Sequence, residues 1–204
     1  ANPDYELPVH GLLVAHVVCM CLSWGCLLPL GVIWARNMRQ SKWMPGGVPA
    51  WFQGHRALQS VGVTLQFLGF IFIILFKKSA HFKRPHEILG LVVVILGVMQ
   101  PVNAQIRHLK CVGHPHPDGS RTRARVVWEV LHKGSGWTCL TLAVTNVALG
   151  PVLASGMRFN RGLVVGSSIF IGLSLGTLIT AGVVLEVRRL LGWAGQGTEK
   201  SAEA

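Results

Sequence analysis

Four histidines have the type and spacing to do chemistry in this chain: His16, His55, His86 and His132. Each lies in an apolar stretch, where an imidazole could relay a proton, bind a transition metal or ligate a haem iron. The first three each precede a basic residue by about 20 positions, namely Arg36, Lys77 and Arg107. Because a helix rises about 1.5 Å per residue, each histidine is about one bilayer core from the far end of its segment.

These histidines also alternate in the end of the segment that they occupy. If consecutive segments cross a membrane in opposite directions, His16 and His86 share one depth. His55 and His132 then share the other depth. The sequence therefore predicts two paired sites, one near each face, as a transmembrane electron pathway requires.

Carboxylates are scarce near these histidines, and this scarcity helps to choose among the three chemistries. Glu87, Glu129 and Glu186 lie at the edges of the apolar stretches. A proton or metal path normally needs carboxylates, whereas a haem iron held by two histidines does not, because the porphyrin offsets two of its charges. Haem ligation is favoured, and the alternative is a haem-free transporter or proton channel lined by intramembrane histidines.

Glycines close to the histidines bear on the same choice. The chain has 24 glycines, and several follow a histidine closely, namely Gly90, Gly134 and Gly136. Small residues leave room for a flat macrocycle between helices, although glycine also serves close helix packing. The glycines therefore support haem binding only in part.

Five apolar runs predict the elements that position the histidines: Gly11–Ala35, Ala57–Phe76, Ile88–Ile106, Trp137–Ser155 and Gly162–Leu185. Half of the residues are hydrophobic and only 13% are charged, and each run can cross a ~30 Å hydrocarbon core as a helix, or nearly so. The predicted fold is an all-α bundle of five transmembrane helices. The first run lacks the basic n-region of a signal peptide, so we interpret it as a membrane span. The sequence does not begin with Met, and we therefore expect the chain to be part of a longer protein.

The basic residues indicate a topology. A formal net charge of +11 would suggest a nucleic-acid partner in a soluble protein, but 13 of the 19 Lys and Arg residues fall on the side of the first and third loops and the C-terminus. Cytoplasmic loops carry this bias. We therefore expect a lipid bilayer and no nucleic acid as partner, with the N-terminus outside or lumenal and the C-terminus cytoplasmic.

Short motifs surround the histidines in all four segments. They are His16…Trp24-Gly25…Pro29…Arg36, then Trp51-Phe52-Gln53-Gly54-His55-Arg56, then His86-x-x-x-Gly90…Gln100-Pro101…Arg107, and last Trp128-x-x-x-His132-x-x-x-Gly136…Asn146. In order and spacing they resemble the eukaryotic cytochrome b561 family. The second motif is similar to that of the branch in which this domain follows an extracellular DOMON domain, and especially to animal ferric-chelate reductase proteins.

The resemblance implies a cofactor and a function. In that family a four-helix core binds two haem b groups through the histidines at these positions, the first paired with the third and the second with the fourth. The fifth helix binds none. The chain would pass electrons from a cytosolic, ascorbate-like reductant to an outer acceptor such as a ferric chelate or monodehydroascorbate. It would be an oxidoreductase in which no side chain is catalytic.

The resemblance also implies a domain organisation and partners. We expect residues 1–191 to form the cytochrome b561-type domain and residues 192–204 a polar tail. Small-molecule electron donors and acceptors, an extracellular DOMON domain and a second copy of the chain in a homodimer are the expected partners.

The chain departs from the family at the first histidine. The family usually has His-Gly there, and here that dipeptide is His10-Gly11, while Val17 follows His16. Six residues are about 240° around a helix, so the two histidines cannot serve one haem. His16 keeps the interval to Trp24, so we choose His16 as the ligand and keep His10 as the alternative.

Other polar residues have both a functional and an ordinary interpretation. Arg36, Arg56 and Arg107 could pair with haem propionates or with an anionic donor, or could be ordinary helix-end arginines. Gln100 and Asn146 could hydrogen-bond the haem or a histidine, or only pack between helices. Tryptophans near span ends, Trp128 among them, are typical of interface belts. A basic group precedes His86 and consists of His81, Lys83 and Arg84. It could dock an anionic chelate, bind a haem propionate or anchor the chain at the membrane interface.

Overall fold

The computed structural model describes residues 11–77, 82–109, 120–156 and 160–202. All regular elements within these ranges are helices. Five are long and apolar enough to cross a membrane: Gly11–Gln40, Ala50–Lys77, Pro85–Ile106, Arg123–Ser155 and Arg161–Arg188. The predicted all-α fold with five membrane-spanning helices is confirmed.

The helices run in chain order from one span to the next. They are α1 (Gly11–Leu22), a π-helical turn (Ser23–Leu27), α2 (Leu28–Asn37), two 3₁₀ turns (Met38–Gln40 and Pro45–Gly47), α3 (Ala50–Lys77), α4 (Pro85–Ile106), α5 (Arg123–Gly156) and α6 (Arg161–Ala202). Several begin well before the apolar runs of the sequence, because backbone hydrogen bonding continues into the polar ends of a span. This extension puts His55 and His132 inside regular helix.

A π-helical turn interrupts the first span just before Pro29. Proline has no N–H, so Pro29 cannot donate to the carbonyl of Gly25, four residues earlier. The hydroxyl of Ser174 on α6 donates to that carbonyl instead. The first span thus stays continuous and gains a polar contact with the last helix.

The core lies where α1, the π-helical turn, α4 and α5 meet. Its buried members are Cys21, Trp24, Leu28, Val93, Cys139, Ala143, Val147 and Ile171. Ile171 is the only buried side chain of α6 among those described. Helix α6 therefore lies at the edge of a bundle formed by the four histidine-bearing spans.

Two glycines set the distance between α3 and its neighbours. A Cβ at Gly62 would overlap the side chain of Leu28, and a Cβ at Gly97 would overlap that of Gln66. Close approach at small residues is how membrane helices gain packing energy without a hydrophobic driving force between them. Helix α3 is therefore held close to α2 at Gly62 and to α4 at Gly97.

Candidate haem-binding site

His16 and His86 form the first of two histidine pairs. His16 lies on α1 and His86 in the first turn of α4, and their ring centroids are 6.5 Å apart with the planes at 90°. A ligating histidine nitrogen lies about 2.0 Å from its metal and about 1.1 Å from the centre of its own ring, so two rings on one metal have centres about 6 Å apart. The observed separation therefore suits one iron between the two rings.

Backbone carbonyls orient both rings. Nδ1 of His16 lies 2.8 Å from the carbonyl oxygen of Gly69, and Nδ1 of His86 lies 3.0 Å from that of Asn146. A carbonyl can only accept, so each Nδ1 carries the proton and each Nε2 keeps its lone pair. Metal-ligating histidines almost always have such a partner on the other nitrogen. The donor set at this pair fits a haem iron.

A cavity of about 600 Å³ adjoins these two rings, within the size range of about 300–1,000 Å³ typical of ligand pockets. Glycines keep part of its wall flat. A Cβ at Gly150 would contact Cε1 of His86 at 3.5 Å, and a Cβ at Gly90 would crowd the Asn146 amide at 3.1 Å. The cavity has room for a flat cofactor beside the histidines.

Helix α6 also contributes to the wall of this cavity, through Leu163, Val164, Ser167 and Ile171. The sequence assigns no part in the site to this fifth membrane-spanning helix, because these residues are ordinary for a membrane helix. Nothing in their type distinguishes them from lipid-facing positions. The contribution comes from the docking of α6 on the bundle.

His55 and His132 are the predicted second pair. Nδ1 of His55 lies 3.1 Å from the carbonyl oxygen of Gly31 on α2. The same reasoning puts the proton of His55 on Nδ1 and leaves the lone pair on Nε2. His132 lies on α5. Its ring stacks on Trp128, with centroids 5.2 Å apart and planes 8° from parallel. These two histidines lie at the opposite end of the bundle from the first pair.

Arginines gather near the second pair. The guanidinium carbons of Arg56 and Arg107 lie 5.6 Å and 5.4 Å from the ring centroid of Phe52. Burial lowers the pKa of the Arg107 guanidinium below its usual range, and the charges of Arg125 and Arg39 lower it further. We call these four arginines the inner arginine cluster: Arg39, Arg56, Arg107 and Arg125.

The third predicted arginine has a different partner. Arg36 donates from Nε and from one terminal nitrogen to the two carboxylate oxygens of Glu186, both at 2.9 Å. This bidentate ion pair ties the end of the first span to α6 and uses two of the five guanidinium N–H donors of Arg36.

Gln100 and Asn146, the two predicted polar residues of the spans, differ in their relation to the sites. Gln100 donates to the hydroxyl of Ser135 at 2.9 Å, so it links α4 to α5. Asn146 lines the cavity and orients His86 through its main-chain oxygen. Its buried Oδ1 has no hydrogen-bond partner within the described residues. Asn146 is therefore part of the site through its main-chain carbonyl, and its side-chain amide also lies at the cavity wall, beside Gly90.

Lys83 and Arg84, from the predicted basic group, line the mouth of the cavity. The backbone N–H of Lys83 donates to Glu87 at 2.9 Å, and Nζ of Lys77 contacts the other oxygen of Glu87 at 2.5 Å. Glu87 thus ties the end of α3 to the start of α4, directly beside His86. His81 and the alternative ligand His10 lie outside the described residues.

The fold and these histidines together define a class, a helical membrane protein with facing imidazoles suited to hold a metal between neighbouring helices. The chain belongs to the eukaryotic cytochrome b561 family, whose family model matches residues 10–155. Membership makes haem b its expected cofactor and electron transport its expected role. The predicted family is confirmed.

Individual relatives agree with this assignment. A cytochrome b561, DM13 and DOMON domain-containing protein of Arabidopsis thaliana is 31% identical over 74% of this chain and 15% of its own length. A cytochrome b561 and DOMON domain-containing protein of the same plant is 29% identical over 90% of this chain and 44% of its own length. A candidate ferric-chelate reductase 1 of Xenopus laevis is 32% identical over 66% of this chain and 22% of its own length.

The chain therefore spans less than half the length of each of these relatives. No solved structure matches it.

Proposed function

We propose that the chain carries single electrons across a membrane between two haem b groups. His16 and His86 would hold one near the outer face, and His55 and His132 the other near the cytosol. The observation that carries the proposal is the first pair, whose rings are 6.5 Å apart with both Nδ1 atoms on carbonyls. Such a pair presents two unprotonated Nε2 atoms to one metal.

In this family the haem and the protein have separate roles. A bound haem supplies the one-electron couple, while the protein sets ligation, burial and access. Helices α1, α3, α4 and α5 supply the ligands, and α2, α3 and α5 supply the carbonyls that three of these ligands contact. Helix α6 forms part of the wall of the outer cavity. No side chain needs to act as nucleophile, acid or base.

We propose a cytosolic, ascorbate-like reductant as donor. The inner arginine cluster lies at the end of the bundle that holds His55 and His132, and its positive charge would attract an anionic reductant. This orientation, with the N-terminus outside or lumenal and the C-terminus in the cytoplasm, agrees with the positive-inside bias of the sequence.

We propose that the acceptor, a ferric chelate or monodehydroascorbate, approaches the mouth of the outer cavity. Lys83 and Arg84 line that mouth, and their charge suits an anionic acceptor. The ferric-chelate reductase in the name of the Xenopus relative and the DOMON domains named in the plant relatives support an outer-face partner of one of these kinds. A homodimer of the chain belongs to the same proposal.

Haem stoichiometry tests the proposal. The purified chain should show a Soret band, and a pyridine haemochrome assay should give two haems per chain. A colourless protein would favour the rival, a haem-free channel or transporter, and would end the proposal. One haem per chain would contradict the two-site arrangement, because one of the two histidine pairs would then have no cofactor.

Exchange of His108 to alanine is the matched control for histidine substitutions. This residue is exposed at the end of α4, so His108→Ala should keep both haems, whereas His86→Ala should lose the outer one.

A further inference from the structure

The four candidate ligands are not held in the same way. His16, His55 and His86 each place Nδ1 within 3.1 Å of a backbone carbonyl on a neighbouring helix. The Nδ1 atom of His132 is buried and has no hydrogen-bond partner within the part of the chain that the structure describes. Rotation of the His132 ring is therefore not restrained by the contact that restrains the other three.

A stacking contact takes its place. Trp128 precedes His132 by one helical turn on α5, so the two side chains share a face of the helix. Their rings are 8° from parallel at a centroid separation of 5.2 Å. Offset stacking of this kind stabilises a ring pair beyond the area that it buries. A ring held in this way has a defined plane without a hydrogen bond.

Trp128 is itself fixed from two sides. Its Nε1 donates to the carbonyl oxygen of Asn103 on α4 at 2.8 Å, and the guanidinium carbon of Arg125 lies 4.8 Å from its ring centroid. Arg125 is held in turn by Glu129 at 2.9 Å. The indole therefore cannot turn without breaking a contact between α4 and α5.

These contacts correct the interpretation of Trp128 as one of the belt tryptophans. Trp137 on the same helix is 53% exposed, as a lipid-facing tryptophan should be. Trp128 is half-buried and uses its N–H within the protein. A position near a span end fits both a lipid-facing tryptophan and one that packs within the protein. Only the contacts of Trp128 distinguish these two roles.

We propose that Trp128 is a positioning residue for the inner haem site, holding the His132 ring plane by stacking where the other three ligands use a carbonyl. This proposal rests on the proposed function. A ligand histidine that donates to a carbonyl is a stronger electron donor to its metal, and a stronger donor favours the ferric state. Without that bond, His132 should favour the ferric state less than it would with a carbonyl partner.

Three variants of the full chain test the proposal: Trp128→Leu, which removes the stack, Trp128→Phe, which keeps an aromatic ring, and Trp137→Leu, the control on the same helix. Electron paramagnetic resonance of the oxidised protein and a redox titration read the two sites separately. Trp128→Leu should change the signal and the potential of one site and leave the other site as in the wild type. Trp128→Phe should lie closer to the wild type, and Trp137→Leu should match it.

The unchanged outer site also reports that Trp128→Leu has folded. Equal changes at both sites would mean a general structural role and would overturn the proposal, as would two unchanged sites in Trp128→Leu. Wild-type protein without haem would instead contradict the proposed function itself, and the role of Trp128 with it.

Discussion

The rings of His16 and His86 face each other at right angles with their centroids 6.5 Å apart. Each ring is fixed by a carbonyl from a different helix, Gly69 on α3 for His16 and Asn146 on α5 for His86. Four helices, α1, α3, α4 and α5, therefore determine the geometry of this histidine pair. The angle between the two rings depends on how these four helices pack.

This angle predicts a spectroscopic signature for the outer site. Perpendicular axial imidazoles leave two iron d orbitals nearly equal in energy, so the ferric low-spin signal should be strongly anisotropic. Electron paramagnetic resonance of the oxidised protein should show such a signal, and His86→Ala should remove it. A rhombic signal of the kind given by parallel rings would contradict the observed arrangement.

Replacement of the first histidine tests the choice between two candidates. His16→Ala should remove the outer haem and lower the haem content from two per chain to about one, because in the proposed site Nε2 of His16 would be the ligand atom. His10→Ala should retain both haems in the same pyridine haemochrome assay. The reverse pattern would assign the ligand to His10.

A side chain at Gly150 should disturb the outer site by sterics alone. A Cβ there already contacts Cε1 of His86 at 3.5 Å, so the branched side chain of Gly150→Val should displace His86 and lower the outer haem content. Gly134→Val is the control, since a Cβ at this exposed position of α5 meets nothing within 4 Å. Equal haem loss in both variants would point to helix propensity instead of contact with His86.

Loss of one charge from the inner arginine cluster should slow reduction by an anionic donor. Arg107→Gln should lower kcat/KM for ascorbate about tenfold, because a hydrogen bond to a charged group contributes about 1.5–3 kcal/mol. The effect should shrink as ionic strength rises, since salt screens exposed charges. Stopped-flow reduction measures it, with Arg161→Gln at the start of α6 as control. An unchanged rate would mean that the donor does not bind near Arg107.

Removal of the Ser174 hydroxyl should weaken the docking of α6. Ser174→Ala leaves the Gly25 carbonyl without its donor from α6, and interhelical hydrogen bonds in membranes contribute about 0.6 kcal/mol on average. Unfolding in detergent should detect the loss. Ser168→Ala is the control, because that hydroxyl donates to the carbonyl of Val164 on its own helix. Equal stability of the two variants would contradict a docking role for Ser174.

Periodicity and composition predicted the number of spans correctly but not their ends. The apolar run of the fourth span begins at Trp137, whereas α5 begins at Arg123. Hydropathy reports where lipid begins, but a helix ends only where its backbone hydrogen bonds end. His132 and its stacking partner Trp128 lie in the interval between these two limits.

The sequence by itself determined the membrane class, the five helices, the family and the four histidines, because apolar length and motif spacing are local properties of the chain. Only the tertiary structure decided what holds each histidine. The partners of His16, His55 and His86 are the carbonyls of Gly69, Gly31 and Asn146. Every residue has a carbonyl, so no residue type marks the ones that matter, and helix packing alone selects them.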